Sequence, residues 1–175
     1  TWPEFAQIHP FSPADLGERV MHLYADAGRW DAMTDEQVLA ELADIADHGY
    51  SSISLGCRGT PRMEGGQVVG YQLAEQSVRS ARLLLQSGLE GPVLVYTGNV
   101  PEQLAAQMNL ERGITRSVRA DRWPPELATA MVQALKLIRE EFAALGVNDP
   151  VMVAVDEPGY WKQGSPERLL WDVSA

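Results

Sequence analysis

The stretch Leu135-Lys-Leu-Ile-Arg-Glu-Glu-Phe-Ala-Ala-Leu-Gly-Val-Asn-Asp-Pro-Val-Met-Val-Ala-Val-Asp-Glu-Pro158 changes period halfway along, and that change sets the fold class. In its first half Leu135, Ile138, Phe142 and Leu145 continue a helical spacing begun by Leu127 and Met131, and Gly146 stops the run. In its second half Val151-Met-Val-Ala-Val155 is a short, continuous apolar run, which reads as a buried strand ending in Asp156-Glu157-Pro158.

The same alternation recurs upstream. Pro92-Val-Leu-Val-Tyr96 is a strand, followed by Thr97-Gly98-Asn99, a short helix that Pro101 can start, and an irregular polar stretch ending at Trp123-Pro124-Pro125. Before it, Ala74, Val78, Ala81 and Leu85 give a helix one apolar face, with Gly88 as its stop. Ser51-Ser-Ile-Ser-Leu55 reads as a strand opening into a polar, Gly-rich loop from Gly56 to Gly70. Thr34 and Gln37 form a capping-box pattern ahead of Val38, Leu42 and Ile45, a helix that ends at Gly49. Arg19-Val-Met-His-Leu-Tyr24 alternates as a first strand running out at Asp26 and Gly28. Residues 1–18, rich in proline and without a period, form a lead-in segment, which leaves 19–175 as the folded domain.

Strands starting at 19, 51, 92 and 151, each separated from the next by helix, make an α/β chain whose strands pair in parallel. Apolar strands of this kind suit a sheet covered by helices on both faces. An open doubly wound sheet in its nucleotide-binding form needs a Gly-rich fingerprint directly after the first strand, and none is present there. A (β/α)8 TIM barrel takes roughly 250 residues. With 175 residues the chain is expected to hold a partial barrel, about the first four β/α units. The Trp-containing stretch around Leu169-Leu-Trp171 reads as the start of a further helix, so a longer native protein is expected.

Composition narrows the function. Fourteen Lys plus Arg against 24 Asp plus Glu give a net charge of −10, which argues against nucleic acid and against an anionic membrane surface as partners. No apolar run approaches the roughly 18 residues of a membrane-spanning helix. Cys57 is the sole cysteine, so neither an internal disulfide nor a Cys-cluster metal site can form. His9, His22 and His48 fit no metal-ligand spacing, His22 is expected to be structural, and no cofactor is expected.

Chemistry in parallel α/β folds collects where strands end. The strand-end residues are Tyr24 and Asp26, Cys57 and Arg58, Tyr96 and Asn99, and the adjacent acids Asp156 and Glu157. Two neighbouring carboxylates repel until one holds its proton, giving an acid and an anion at neutral pH, the division of labour that sugar hydrolysis uses. The plainer reading is a pair of solvated loop charges, or an Asp156 side chain capping a following turn. Successive strand residues also point to opposite faces, so the strand has to end or bend at the pair, as Pro158 favours. Tyr160 and Trp161 follow with flat apolar rings on which sugars stack, or which pack against a neighbour. Cys57 lacks a placed base and reads as a buried or substrate-lining thiol, while Arg58, Arg62 and the following glycines match no phosphate motif.

His48-Gly49-Tyr50-Ser-Ser-Ile-Ser-Leu55, Val95-Tyr96-Thr97-Gly98-Asn99 and Val155-Asp156-Glu157-Pro158 together resemble bacterial glycoside hydrolase barrels related to family 123, over most of Arg19 to Pro158. The resemblance implies removal of N-acetyl-β-galactosamine units, with Glu157 as general acid and Asp156 as the anion that orients and polarises the substrate's 2-acetamido group. The acetamido oxygen would then attack the anomeric carbon in place of an enzyme carboxylate. Tyr24, Asp26, Arg58, Tyr96, Asn99, Tyr160 and Trp161 are the expected sugar contacts. The half barrel alone is expected to be nearly inactive, and its exposed sheet edges invite self-association. Two alternatives are a related barrel glycosidase with Glu157 as acid/base and its second carboxylate outside this chain, and a non-catalytic carbohydrate-binding or assembly module.

Overall fold

A computed structural model describes residues 22–23, 27–111, 115, 123–148 and 150–153. Its main sheet holds four parallel strands, β1 (His22–Leu23), β2 (Ser52–Gly56), β5 (Leu94–Tyr96) and β6 (Val151–Val153), in the spatial order β1-β2-β5-β6. Of the expected first strand, Arg19–Met21 and Tyr24 lie outside the described residues. The order is sequential with no reversal, so every connection steps the same way across the sheet.

The helices form where the sequence placed them. In α1 (Asp35–Asp47) the Thr34 hydroxyl accepts from the Gln37 N–H at 3.3 Å, and the Thr34 N–H donates to Gln37 Oε1 at 2.9 Å, the full reciprocal capping box. Its buried stripe is Val38, Leu42 and Ile45. Then come α2 (Glu75–Ser87), α3 (Val100–Gln107), with Pro101 in its first turn, and the 20-residue α4 (Pro125–Ala144). In α4 Leu127, Ala130, Met131, Ala134, Ile138 and Phe142 form one buried stripe at helical spacing. Helix α2 is rolled relative to expectation: it buries Ser77, Ser80, Ala81, Leu83 and Leu84, whereas Leu85 is 45% exposed. Two serines on the inner stripe hide that face from a purely apolar count. Arg79 on α2 ties down the 3-10 turn Ala27–Ala32 and the start of α1, donating to the carbonyls of Trp30 and Met33 and to Asp35.

The expected loop from Gly56 to Gly70 is instead an antiparallel hairpin of β3 (Gly59–Glu64) and β4 (Gln67–Leu73). Its two-residue turn, Gly65-Gly66, has φ of +57° and +82°. Positive φ at both central residues is the turn whose twist matches paired strands, and glycine adopts it without a Cβ clash. The hairpin packs over α3 and α4: Gln103 and Gln107 donate to the Gly59 and Pro61 carbonyls at 3.0 and 2.9 Å, and the Val68 N–H donates to Gln133 at 3.2 Å.

Among the described residues the hydrophobic core lies against one face of the main sheet. Bridged residues in a parallel pair share a side and successive residues alternate, so the register sorts the strand residues into two sets. Leu23, Ile53, Leu55, Val95 and Met152 share one face and join the hydrophobic core. Leu94, Tyr96, Val151 and Val153 share the other and lie outside that core, next to His22, Ser52 and Ser54. The cause is topological: right-handed connections that all step in one direction lay their helices on one side of a sheet.

Candidate functional site

The parallel strands finish at one rim. Beyond β2 the Cys57 N–H donates to the Tyr96 carbonyl at 2.8 Å, and beyond β5 the Thr97 N–H donates to the Val153 carbonyl at 3.0 Å. The Thr97 hydroxyl, fully buried, donates to that same carbonyl at 3.1 Å. These bonds hold the ends of β2, β5 and β6 level, and the chain leaves β6 from this rim, three residues before Asp156 in sequence.

Three of the expected site residues are placed here. Tyr96, the last residue of β5, is half-buried and projects on the face of the sheet away from the hydrophobic core of the described residues. Asn99 is exposed at the N-cap of α3, where its side chain makes no capping bond. Arg58 follows β2; its N–H donates to the Ser77 hydroxyl at 2.8 Å, and Ser77 in turn donates to the Gly56 carbonyl at 3.1 Å. The Arg58 guanidinium pairs with Asp31, and both side chains are substantially exposed, so the pair adds little stability. It does tie the guanidinium to the 3-10 turn that carries Asp31. Tyr24, Asp26, Asp156, Glu157, Tyr160 and Trp161 lie outside the described residues. Asp31 and Ser77 were not singled out from sequence, since nothing in local spacing links them to Arg58.

Cys57 is buried beneath the hairpin, its thiol 3.6 Å from the Tyr71 hydroxyl. Burial pushes the thiol up to about 11, opposed by the Tyr71 hydrogen bond. Burial also raises the Tyr71 hydroxyl, with the neighbouring Cys57 adding to the shift. A neutral buried thiol is no nucleophile, so Cys57 is the lining or packing residue expected. A thiol moved from 9.0 to about 11 also has a thiolate population about a hundredfold smaller at mildly alkaline pH. Alkylation of Cys57 by iodoacetamide is therefore expected to be at least about a hundredfold slower in the native chain than in urea. Immediate labelling of the native chain would show the thiol to be open and ionised.

His22 sits at the opposite, N-terminal end of the strands. Its Nδ1 is 2.8 Å from the Ser52 hydroxyl, and that hydroxyl donates its one hydrogen to the Pro92 carbonyl. His22 must therefore donate from Nδ1, which leaves Nε2 as an acceptor, buried and without a partner. Burial lowers its pKa, as suits a neutral structural histidine far from the rim.

Among the described residues no group of three or more His, Cys, Asp or Glu is placed to hold a metal ion, and no helix is long and apolar enough to cross a membrane. No protein family, curated protein or solved structure matches this chain. The described residues form a mixed α/β fold built on a sequential, four-stranded parallel sheet, with a hairpin laid across two of its helices.

Proposed function

We propose that the chain is the first half of a (β/α)8 glycoside hydrolase catalytic domain, which when complete removes terminal N-acetyl-β-hexosaminide units of the galactosaminide kind by substrate-assisted acid catalysis. One observation carries the reading: a parallel sheet in sequential order, with the core of the described residues on one side, whose last strand leads in sequence into Asp156-Glu157. Sequential order with helices on one side is what a barrel requires and what a doubly wound sheet, with its reversal point, lacks. In a barrel the face outside the core is the interior. Tyr96 on that face then sits under the catalytic mouth, where a sugar ring can stack on it.

Glu157, protonated, gives its proton to the glycosidic oxygen as the bond to the anomeric carbon breaks. The substrate's own acetamido oxygen forms the new bond to that carbon, and Asp156, ionised, holds the acetamido N–H and the positive charge that develops there. Water then attacks the anomeric carbon and displaces the acetamido oxygen, whose bond to that carbon breaks and restores the neutral acetamido group, while the water gives up a proton to the Glu157 carboxylate and so restores the acid. An ordinary retaining enzyme takes its nucleophile from a second carboxylate across the pocket; an adjacent pair that borrows the substrate's nucleophile needs none.

The test is turnover by the native gene product, its intact mass measured alongside, on chromogenic N-acetyl-β-galactosaminide and on the matching β-galactoside. Cleavage of the first and not the second is expected. Equal rates on both would remove the acetamido mechanism, and no cleavage of either would remove the hydrolase.

A further inference from the structure

Arg58 and Asp31 form an ion pair that stability does not explain. Their side chains are 47% and 37% exposed, and a pair that open to water contributes little to folding. Both partners are nevertheless held from the backbone up. Arg58 stands two residues beyond β2, its N–H on the Ser77 hydroxyl and its carbonyl accepting from the Ala74 N–H, both at 2.8 Å. Asp31 lies between Trp30 and Met33, whose carbonyls both accept from the Arg79 guanidinium at 2.8 Å, and Trp30 is fully buried. The start of α2 thus positions both partners, through Ala74 and Ser77 on one side and Arg79 on the other. The segment after β1 and the segment after β2 are joined by this pair at the rim where the strands end.

We propose that Asp31 and Arg58 are a sugar-reading couple at this rim, which selects an uncharged ring through two adjacent hydroxyl groups. A sugar hydroxyl both donates and accepts, so two neighbouring hydroxyls are matched by a carboxylate oxygen set beside guanidinium N–H groups. Among the described residues the guanidinium gives one N–H to Asp31, and the carboxylate accepts it through Oδ2. Further guanidinium N–H groups and Oδ1 of Asp31 are left for a ligand. Because each side chain already holds the other, little freedom is lost when a sugar docks.

Charge decides which sugars fit. Arg58 alone would attract a sulfate or a uronic acid. Asp31 cancels that charge and repels the same groups, as does a chain of net charge −10. The inference rests on the proposed hydrolase and deepens it by defining its substrate as an uncharged glycan. Asp31 is the specificity residue and Arg58 the one that makes the stronger bond.

NMR titration of the native gene product with N-acetylgalactosamine and with its O-sulfated form tests this without turnover. The neutral sugar is expected to bind more tightly by about tenfold or more, because like charges set opposite each other are costly. Asp31→Asn keeps the shape, removes the repulsion and leaves Arg58 without its counter-charge, so the preference should fall by about tenfold or more. Arg58→Gln should weaken the neutral sugar about tenfold, the worth of a hydrogen bond from a charged donor, with the circular dichroism unchanged. Glu140→Gln removes an exposed acid on α4 and controls for net charge; it should leave the preference as it is. A preference that Asp31→Asn does not move, or that Glu140→Gln moves as far, overturns the proposal, and so does wild type that binds neither sugar. A merely structural pair would lower thermal stability in both variants and leave the preference alone, which also overturns it. The expected pattern in a product that cleaves neither chromogenic glycoside leaves the couple standing and removes the hydrolase. Cleavage of the acetamido substrate with a preference indifferent to Asp31 does the reverse.

Discussion

Phe142→Ala is expected to lower the stability of the fold by roughly 3–5 kcal/mol, the cost of removing a fully buried aromatic ring from a packed core. Phe142 has no exposed surface and ends the buried stripe of α4, whose other fully enclosed members include Leu127 and Ile138. Its carbonyl also accepts from the Leu145 and Val147 N–H groups at 3.1 and 3.0 Å, so the residue anchors the turn that feeds β6. Truncation leaves a cavity where α4 meets its neighbours, and relaxation there is limited because the hairpin is held over the same helix through Gln133. For a domain with a total stability of about 5–15 kcal/mol this is a large fraction, and the melting temperature should fall on the order of 10 °C. The measurement is thermal and urea unfolding of Phe142→Ala beside Val132→Ala, the latter at an exposed site on the same helix and expected to change stability by about 0.5 kcal/mol at most. A loss below about 1 kcal/mol at Phe142 would mean that α4 is not packed as described.

The helices were legible because their signals are local. Thr34 and Gln37 specify a helix start by two side-chain bonds within four residues, and the α4 stripe repeats for about four turns, so no distant part of the chain is needed to read either. The hairpin was missed although its signal was present. Gly65-Gly66 is a two-residue turn of the right chemistry, but the flanking residues do not alternate cleanly, because the register shifts between Arg62 and Met63. An irregular, polar, glycine-containing segment then reads as loop until tertiary packing on α3 and α4 is known. The side of the sheet that meets the core of the described residues was hidden for a different reason. Val151-Met-Val-Ala-Val155 is apolar at every position, and such a run cannot say which of its faces meets a helix; only strand order decides that. Arg58, Tyr96 and Asn99 could be placed at strand ends from sequence because strand ends are recognisable, and the structure puts them there. The partners that orient Arg58, namely Asp31 and Ser77, lie 27 and 19 residues away in sequence and carry no local mark.

Glu157→Gln in the native gene product is expected to lower kcat on an N-acetyl-β-galactosaminide by about 10²–10⁴, the usual worth of a positioned general acid. The amide keeps the shape and the hydrogen-bonding reach of the side chain but cannot supply a proton to the leaving oxygen, so KM should change little while kcat falls. A substrate whose leaving group is already a good anion, such as a dinitrophenolate, needs no such proton. For it, the first step should be largely spared. Asp156→Asn separates the two carboxylates. If Asp156 stabilises the acetamido group, its loss should cost a comparable factor on the acetamido sugar whatever the leaving group, because the charge it opposes develops on the substrate's nucleophile and not on the departing oxygen. The crossed pattern is therefore decisive: leaving-group-dependent damage at Glu157 and leaving-group-independent damage at Asp156 assign the two roles. If Asp156→Asn retains nearly full activity, the nucleophile is an enzyme carboxylate elsewhere. If both variants retain it, the acid pair is a solvated rim feature and the chemistry lies at other strand ends.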